Sequence, residues 1–221
     1  MKLHYRTILI IATLSLFVSC EKNDANDYRT VGLVSGWGDS LTYGSGGKTA
    51  GGYTAFLSQL TKKEVSNFGI PGETSTQIMN RFLKNDEHEK DEIVIWAGRN
   101  NYSKTEIIKS DIAKMVQKIK HKRYLILSLI NGNYGKYERK GEEGYQSFTK
   151  INSYLEETYG NHYFDVRSYL IAHHLKTDQD LEDVKNDIVP SSLRVDGIHL
   201  NDKGYRLVAT GVYERLREIA E

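Results

Sequence analysis

Gly38-Asp39-Ser40-Leu41-Thr42-Tyr43-Gly44 follows a short apolar run at 31–34 that reads as a buried strand. The stretch sets a serine on a glycine-flanked turn just past the carboxyl end of that strand. In a parallel α/β sheet this edge is where ligands bind. A serine placed there is either an exposed nucleophile or the N-cap of the next helix. The choice rests on whether distant parts of the chain supply a base and donors for a developing negative charge.

Outward from that turn, apolar runs alternate with amphipathic stretches. Strands are expected at 64–68, 91–97, 123–130 and 162–166, and 91–97 (DEIVIWA) is the most apolar of them. Helical spacing of apolar residues marks 53–60, 74–83, 105–120 and 147–159. Short helices are expected near 168–175 and 178–184, and a closing helix at 203–220. The segments at 36–52, 69–72, 98–101, 131–144 and 189–200 read as loops. Strand and helix alternating five times imply a parallel sheet with helices on both faces. The expected fold class is therefore α/β, in a single domain at 30–221.

The chain has 221 residues, 39% hydrophobic, with a net charge of +1. That suffices for one sizeable core and leaves no basic footprint for nucleic acid. Lys2 and Arg6 precede an apolar run at 8–18 that is too short to span a hydrocarbon layer of roughly 30 Å. With Ser19 and Cys20 closing it, residues 1–19 read as a signal peptide. A cysteine at the cut resembles a bacterial lipoprotein signal, in which Cys20 is lipidated and becomes the mature N-terminus. Export to the periplasmic or cell-surface side of a bacterial membrane is then expected, with membrane contact only through the lipid. Residues 20–29 are polar and read as a tether. Cys20 is the one cysteine, so cohesion must come from the core and not from disulfides.

Two phosphate-binding readings of the opening loop fail. Gly36-Trp37-Gly38 begins like G-x-G-x-x-G, but Leu41 stands where the third glycine belongs. Gly47-Lys48-Thr49 ends like a P-loop, but Thr42 stands where its first glycine belongs. The lipase elbow G-x-S-x-G is absent.

Four blocks in order do fit one pattern. Gly38-Asp39-Ser40-Leu41, Asn67-Phe68-Gly69-Ile70-Pro71-Gly72, Gly98-Arg99-Asn100-Asn101 and Asp196-Gly197-Ile198-His199 resemble the conserved blocks of the GDSL, or SGNH, hydrolases. The resemblance implies a three-layer α/β/α sandwich around a flavodoxin-like five-stranded parallel sheet. It implies an ester hydrolase with Ser40 as nucleophile, His199 as base and Asp196 orienting the base. A serine hydroxyl needs such a partner at neutral pH. It further implies an oxyanion site made by the Ser40 and Gly72 backbone N–H groups and the Asn100 amide. No cofactor or metal is implied. One departure is visible: the family usually has Asp after the third-block Asn, where this chain has Asn101.

Candidate substrate-facing residues are Asp39, Trp37, Asn101, Tyr102 and Tyr134, with Asp39 also read as holding the nucleophile turn. Tyr43, Tyr137 and Tyr145 also lie in loops near expected strand ends, where aromatic faces could stack on sugar rings. Arg99 and Lys136 are candidates for an acidic group. These loops and the export signal favour short acyl esters, acetyl above all, carried on carbohydrate. The alternatives are a lipase, lysophospholipase or thioesterase, and a non-catalytic surface lipoprotein that binds glycan. The sequence carries no reading of oligomeric state.

Overall fold

The computed structural model describes residues 31–219. The expected signal peptide, Cys20 and the tether lie outside the described residues. Five parallel strands form one sheet: β1 (Val34–Gly38), β2 (Val65–Gly69), β3 (Glu92–Trp96), β4 (Tyr124–Leu127) and β5 (Tyr163–Phe164), in the order β2-β1-β3-β4-β5. Eight helices connect and cover them: α1 (Ser40–Tyr43), α2 (Gly52–Thr61), α3 (Ser75–Lys84), α4 (Thr105–Lys118), α5 (Glu143–Tyr159), α6 (Val166–Ala172), α7 (Asp178–Lys185) and α8 (Asp202–Glu218).

Alternation along the strands builds both helical layers. Ile93 and Ile95 of β3 and Ile126 of β4 enter a core with Ile78, Ile108, Met115 and Phe148 from α3, α4 and α5. Val94 and Trp96, with Leu125 and Leu127, point the other way, to Tyr53 and Leu57 of α2 and Tyr205 and Val208 of α8. Successive side chains of a strand face opposite sides, so a strand covered on both faces is apolar throughout. The three-layer α/β/α sandwich is therefore present as expected.

The sheet reverses its direction of growth at β1, which has β2 on one side and β3 on the other. Gly38 is level with Gly69 of β2 and with Trp96 of β3. The crevice at such a switch point is where ligands bind in open α/β sheets, and the opening serine follows β1 directly into it.

The strand boundaries correct the reading of the N-terminal region. β1 runs from Val34 to Gly38, not 31–34, so Gly36 and Gly38 lie in the strand and not in a loop. Their lack of a side chain reflects close approach. A Cβ on Gly36 would sit 2.6 Å from the Tyr53 hydroxyl. One on Gly38 would sit 2.2 Å from Thr42 Oγ1 and 2.5 Å from the Trp96 carbonyl oxygen. α5 also begins earlier than 147, because Glu143 and Gly144 are helical. A Cβ on Gly144 would meet the Tyr137 ring at 2.6 Å, so this glycine serves packing within a helix. β5 is reduced to two residues.

Gly38→Ala places a methyl group against a backbone carbonyl that cannot rotate away. Overpacking of this kind costs about 1–3 kcal/mol. The variant is expected to unfold at lower urea concentration and to lose the hydrolase activity that the resemblance implies beyond that, since the strain falls two residues before Ser40. Wild-type stability together with wild-type activity would refute the account of β1.

Candidate active site

The turn that carries Ser40 is made by its own sequence. Asp39 caps α1, and its carboxylate accepts from Leu41 N at 2.9 Å. The helix lasts one turn because Gly44, at φ +98°, turns left-handed, and the N–H groups of Gly44 and Ser45 both donate to the Ser40 carbonyl at 3.0 Å. Asn67 of β2 fixes the turn from the side: its amide donates to Thr42 O at 2.8 Å and to Thr54 Oγ1 at 2.9 Å.

The structure brings Ser40, His199 and Asp196 together across the chain. Ser40 Oγ lies 3.0 Å from His199 Nε2, and His199 Nδ1 lies 2.7 Å from Asp196 Oδ2. The other Asp196 oxygen accepts from Ile198 N and His199 N, each at 2.8 Å. Burial works against the charged form of Asp196. The hydrogen bond from the imidazole outweighs it, together with the Ile198 and His199 N–H groups and the imidazole charge, and brings the carboxyl down to about 2. An ionised carboxylate only accepts. The proton therefore sits on Nδ1, and Nε2 is left to accept from the Ser40 hydroxyl.

Asn100 ties together the loops that carry the other two candidate oxyanion donors. The loop after β2 is a type II turn: Glu73 N donates to Ile70 O at 3.3 Å, Pro71 takes the second position and Gly72 the third at φ +82°. An added Cβ on Gly72 would meet no protein atom within 4 Å, so its backbone conformation, not crowding by the protein, calls for glycine. The Asn100 amide nitrogen donates to Glu73 O at 2.9 Å and to Asp39 Oδ2 at 3.3 Å. It thereby spans the residue after Gly72 and the residue before Ser40. Arg81 holds Glu73 in place, with three contacts of 2.6–3.0 Å to its carboxylate and one of 2.9 Å to Phe68 O.

Several candidate substrate contacts are not at the surface of the site. Trp37 lies in β1, 2% exposed, stacked on Phe68 at 4.1 Å; it belongs to the core, because the strand is longer than its apolar run suggested. Asp39 is 1% exposed. Burial pushes its carboxyl up to about 6, against the Leu41 N–H and the charges of Arg99 and His199, so it serves the turn from within. Asn101 caps α3: its Oδ1 accepts from Ser75 N at 3.0 Å and its Nδ2 donates to Ser75 Oγ at 2.9 Å. Tyr102 stacks on Phe148 at 4.1 Å and carries Arg99 over its face. Arg99 is paired with Glu138 at 3.1 Å.

Tyr134 does reach the site. Its ring is 55% exposed, lies against Gly197 and donates its hydroxyl to Asp196 Oδ1 at 3.3 Å. Tyr43, 54% exposed, stands one helical turn beyond Ser40. Sequence reasoning missed Arg81 and Glu138 as supports: Arg81 acts on Glu73, eight residues away, and Glu138 on Arg99, 39 residues away, and neither carries a local motif. Among the described residues no group of His, Cys, Asp and Glu is placed to hold a metal ion, and no helix is long and apolar enough to cross a membrane.

The GDSL-like lipase/acylhydrolase family matches residues 37–207, which contain all four blocks. The chain belongs to this family. No curated protein matches the GDSL hydrolase in sequence. Solved structures share its fold. A lipase/acylhydrolase from Enterococcus faecalis superposes with a TM-score of 0.65 at 18% identity, covering 84% of this chain and 95% of its own. A GDSL-like lipase from Bacteroides thetaiotaomicron gives 0.61 at 17% identity, covering 84% and 88%. A variant of an acetyl-xylooligosaccharide esterase from a Geobacillus gives 0.63 at 15% identity, covering 86% and 96%. The GDSL hydrolase is accordingly an ester-hydrolysing enzyme on an α/β fold.

Asp196 carries a pH signature. Its folded value of about 2 lies below its ordinary 3.8, so its contribution to stability is present above that ordinary value and is lost as the pH falls from about 4 to about 2. At pH 7 wild type is expected to resist urea better than Asp196→Asn, with the difference closing over that window. A difference that stays constant down to pH 2 would separate the Asp196 carboxylate from the His199 contact.

Proposed function

We propose that the chain is a serine esterase that removes short acyl groups, acetyl above all, from carbohydrate, acting through Ser40, His199 and Asp196 with an acyl-enzyme intermediate. The observation that carries the catalytic part is the continuous hydrogen-bonded path from Asp196 through His199 to the Ser40 hydroxyl. In the first step Ser40 Oγ attacks the ester carbonyl while His199 Nε2 takes its proton. The tetrahedral oxyanion lies between the Ser40 N–H, the Gly72 N–H and the Asn100 amide, which gives up its longer contact, with Asp39, to reach it. The alcohol leaves with the proton from Nε2, and the acyl group stays on Ser40. Water then repeats the sequence, giving its proton to His199, and releases the acid. Asp196 holds the Nδ1 proton throughout and stabilises the imidazolium that forms in each step.

The substrate reading rests on the character of the site's surroundings. Tyr43 and Tyr134 are exposed on elements that touch the catalytic residues. The loop after β4 that carries Tyr134 is polar and offers no broad apolar bed for a long acyl chain. The acetyl-xylooligosaccharide esterase with the same fold is consistent with this choice. We further propose that residues 1–19 direct export, that Cys20 is lipidated, that 20–29 tether the enzyme to a bacterial membrane, and that 30–221 form the catalytic domain.

Ser40→Ala is expected to lower kcat on p-nitrophenyl acetate about 10⁴-fold or more, and the wild-type enzyme to release acetate from acetylated oligosaccharides. Equal rates for the two proteins would remove Ser40 from the mechanism. Cleavage of long-chain esters with no acetate from any acetylated glycan would overturn the substrate reading. For the anchor, Cys20→Ser is expected to move the protein from the detergent phase to the aqueous phase of a membrane extract; unchanged partitioning would refute lipidation.

A further inference from the structure

Asp196 and His199 sit on a short hairpin whose two arms meet at a bridge between Arg194 and Leu200. Some hydrogen bonds of this hairpin are internal: Val195 N donates to His199 O, and the Asp196 carboxylate accepts from Ile198 N and His199 N. Such bonds shape the turn but do not fix it relative to Ser40, which belongs to β1 and α1.

Arg194 supplies an outside anchor. Its side chain is 6% exposed, and that of its partner Asp183, on α7, is 2% exposed. Each nitrogen of the guanidinium has an acceptor. Nη2 meets Asp183 Oδ2 at 3.0 Å, Nε donates to Val189 O at 2.6 Å, and Nη1 donates to the backbone carbonyl of Asp196 at 2.6 Å. Asp183 is held in turn: its Oδ2 also accepts from Ser191 N at 2.7 Å, and its Oδ1 from Gln179 Nε2 at 3.3 Å.

A buried ion pair is a poor device for stability alone, because desolvation offsets the attraction between the charges. Its planar fork is, however, well suited to fixing geometry, since each donor points in a set direction. Here the fork joins α7, the chain at Val189 and the catalytic hairpin. The Asn133 N–H to Gly197 O contact, at 2.7 Å, anchors the opposite side of the same hairpin but carries no charge.

We propose that Arg194, oriented by Asp183, is a positioning residue that holds the Asp196 backbone so that the Asp196 carboxylate stays aimed at His199 Nδ1. The inference rests on the triad reading given above. Arg194 touches neither Ser40 nor a substrate-facing atom; it acts through Asp196. Misplacement of a catalytic group by about 1 Å costs on the order of 10²-fold in rate, so a clamp one residue pair away has a measurable effect.

The test is a double-mutant cycle on the full chain with p-nitrophenyl acetate, with folding checked by near-ultraviolet circular dichroism. Arg194→Met keeps the stem and removes the fork. It is expected to lower kcat about 10–100-fold with KM within about twofold. Arg194→Lys keeps one donor and the charge, and is expected to recover part of the loss. In an Asp196→Ala background the further loss from Arg194→Met is expected to shrink below about threefold, because the group it positions is gone. Fold-losses that multiply, or a kcat that merely follows the folded fraction, would overturn the proposal. Should Arg194→Met not fold, the isosteric Asp183→Asn removes the charge and enters the same cycle. If Asp196→Ala leaves kcat unchanged, it is the triad reading that has failed. If Asp196→Ala is slow and Arg194→Met in a wild-type background is not, only the clamp has.

Discussion

The parallel register at β1 governs the site. Gly38 is paired with Gly69 on one side and with Trp96 on the other. From those level positions the chain reaches Ser40 after two residues, Gly72 after three and Asn100 after four. Three strands that end together thus deliver a hydroxyl and the candidate oxyanion donors to one crevice. The Asn100 contacts with Asp39 and Glu73 then draw the three loops inward. A one-residue slip in either pairing would move a donor by about 3.3 Å along the strand, more than a hydrogen bond tolerates.

Two carboxylates flank the serine in opposite electrostatic settings. Asp39 is buried beneath the turn, and desolvation raises it to about 6. Its contribution to stability is full below its ordinary 3.8 and lost as the pH rises through about 6. Asp196 has three N–H donors on its two oxygens, and these hold it low in spite of burial. The same residue type therefore serves as a structural cap in one place and as the acceptor for the His199 imidazole in the other. The difference comes first from burial, nearly complete at Asp39 and partial at Asp196, and then from the number of donors each one meets.

Sheet and helices were legible in the sequence because burial on two faces leaves a plain record. The run Ile93-Val94-Ile95-Trp96 and the helical spacing of Ile108, Ile112 and Met115 allow little else. The edges of elements were less legible. Gly36 and Gly38 look like loop residues until their neighbours show that a side chain would not fit, and that misplaced β1 and put Trp37 outside the core. The chemistry-bearing blocks were legible through their resemblance to the GDSL blocks, each standing at an expected strand end or in the last loop. Asn101 was not: its amide is taken up by Ser75, 26 residues away. Asp183, Arg81 and Glu138 were equally hidden, since each acts on the site through another side chain (Arg194, Glu73 and Arg99) and none has a signature near its own position.

The loop between β4 and α5 touches both halves of the site. Through Glu138 it grips Arg99, the neighbour of Asn100; through Asn133 and Tyr134 it grips Gly197 and Asp196. Such a loop cannot be redesigned as an independent module. Lengthening it, or replacing its aromatic residues to accept a different ester, would disturb the Asp196–His199 hairpin and the Arg99–Asn100 turn at once. New substrate preferences in this chain should therefore be easier to reach from the Tyr43 side, where the loop at residues 44–51 is fastened to Asp202 and Tyr205, than from the Tyr134 side.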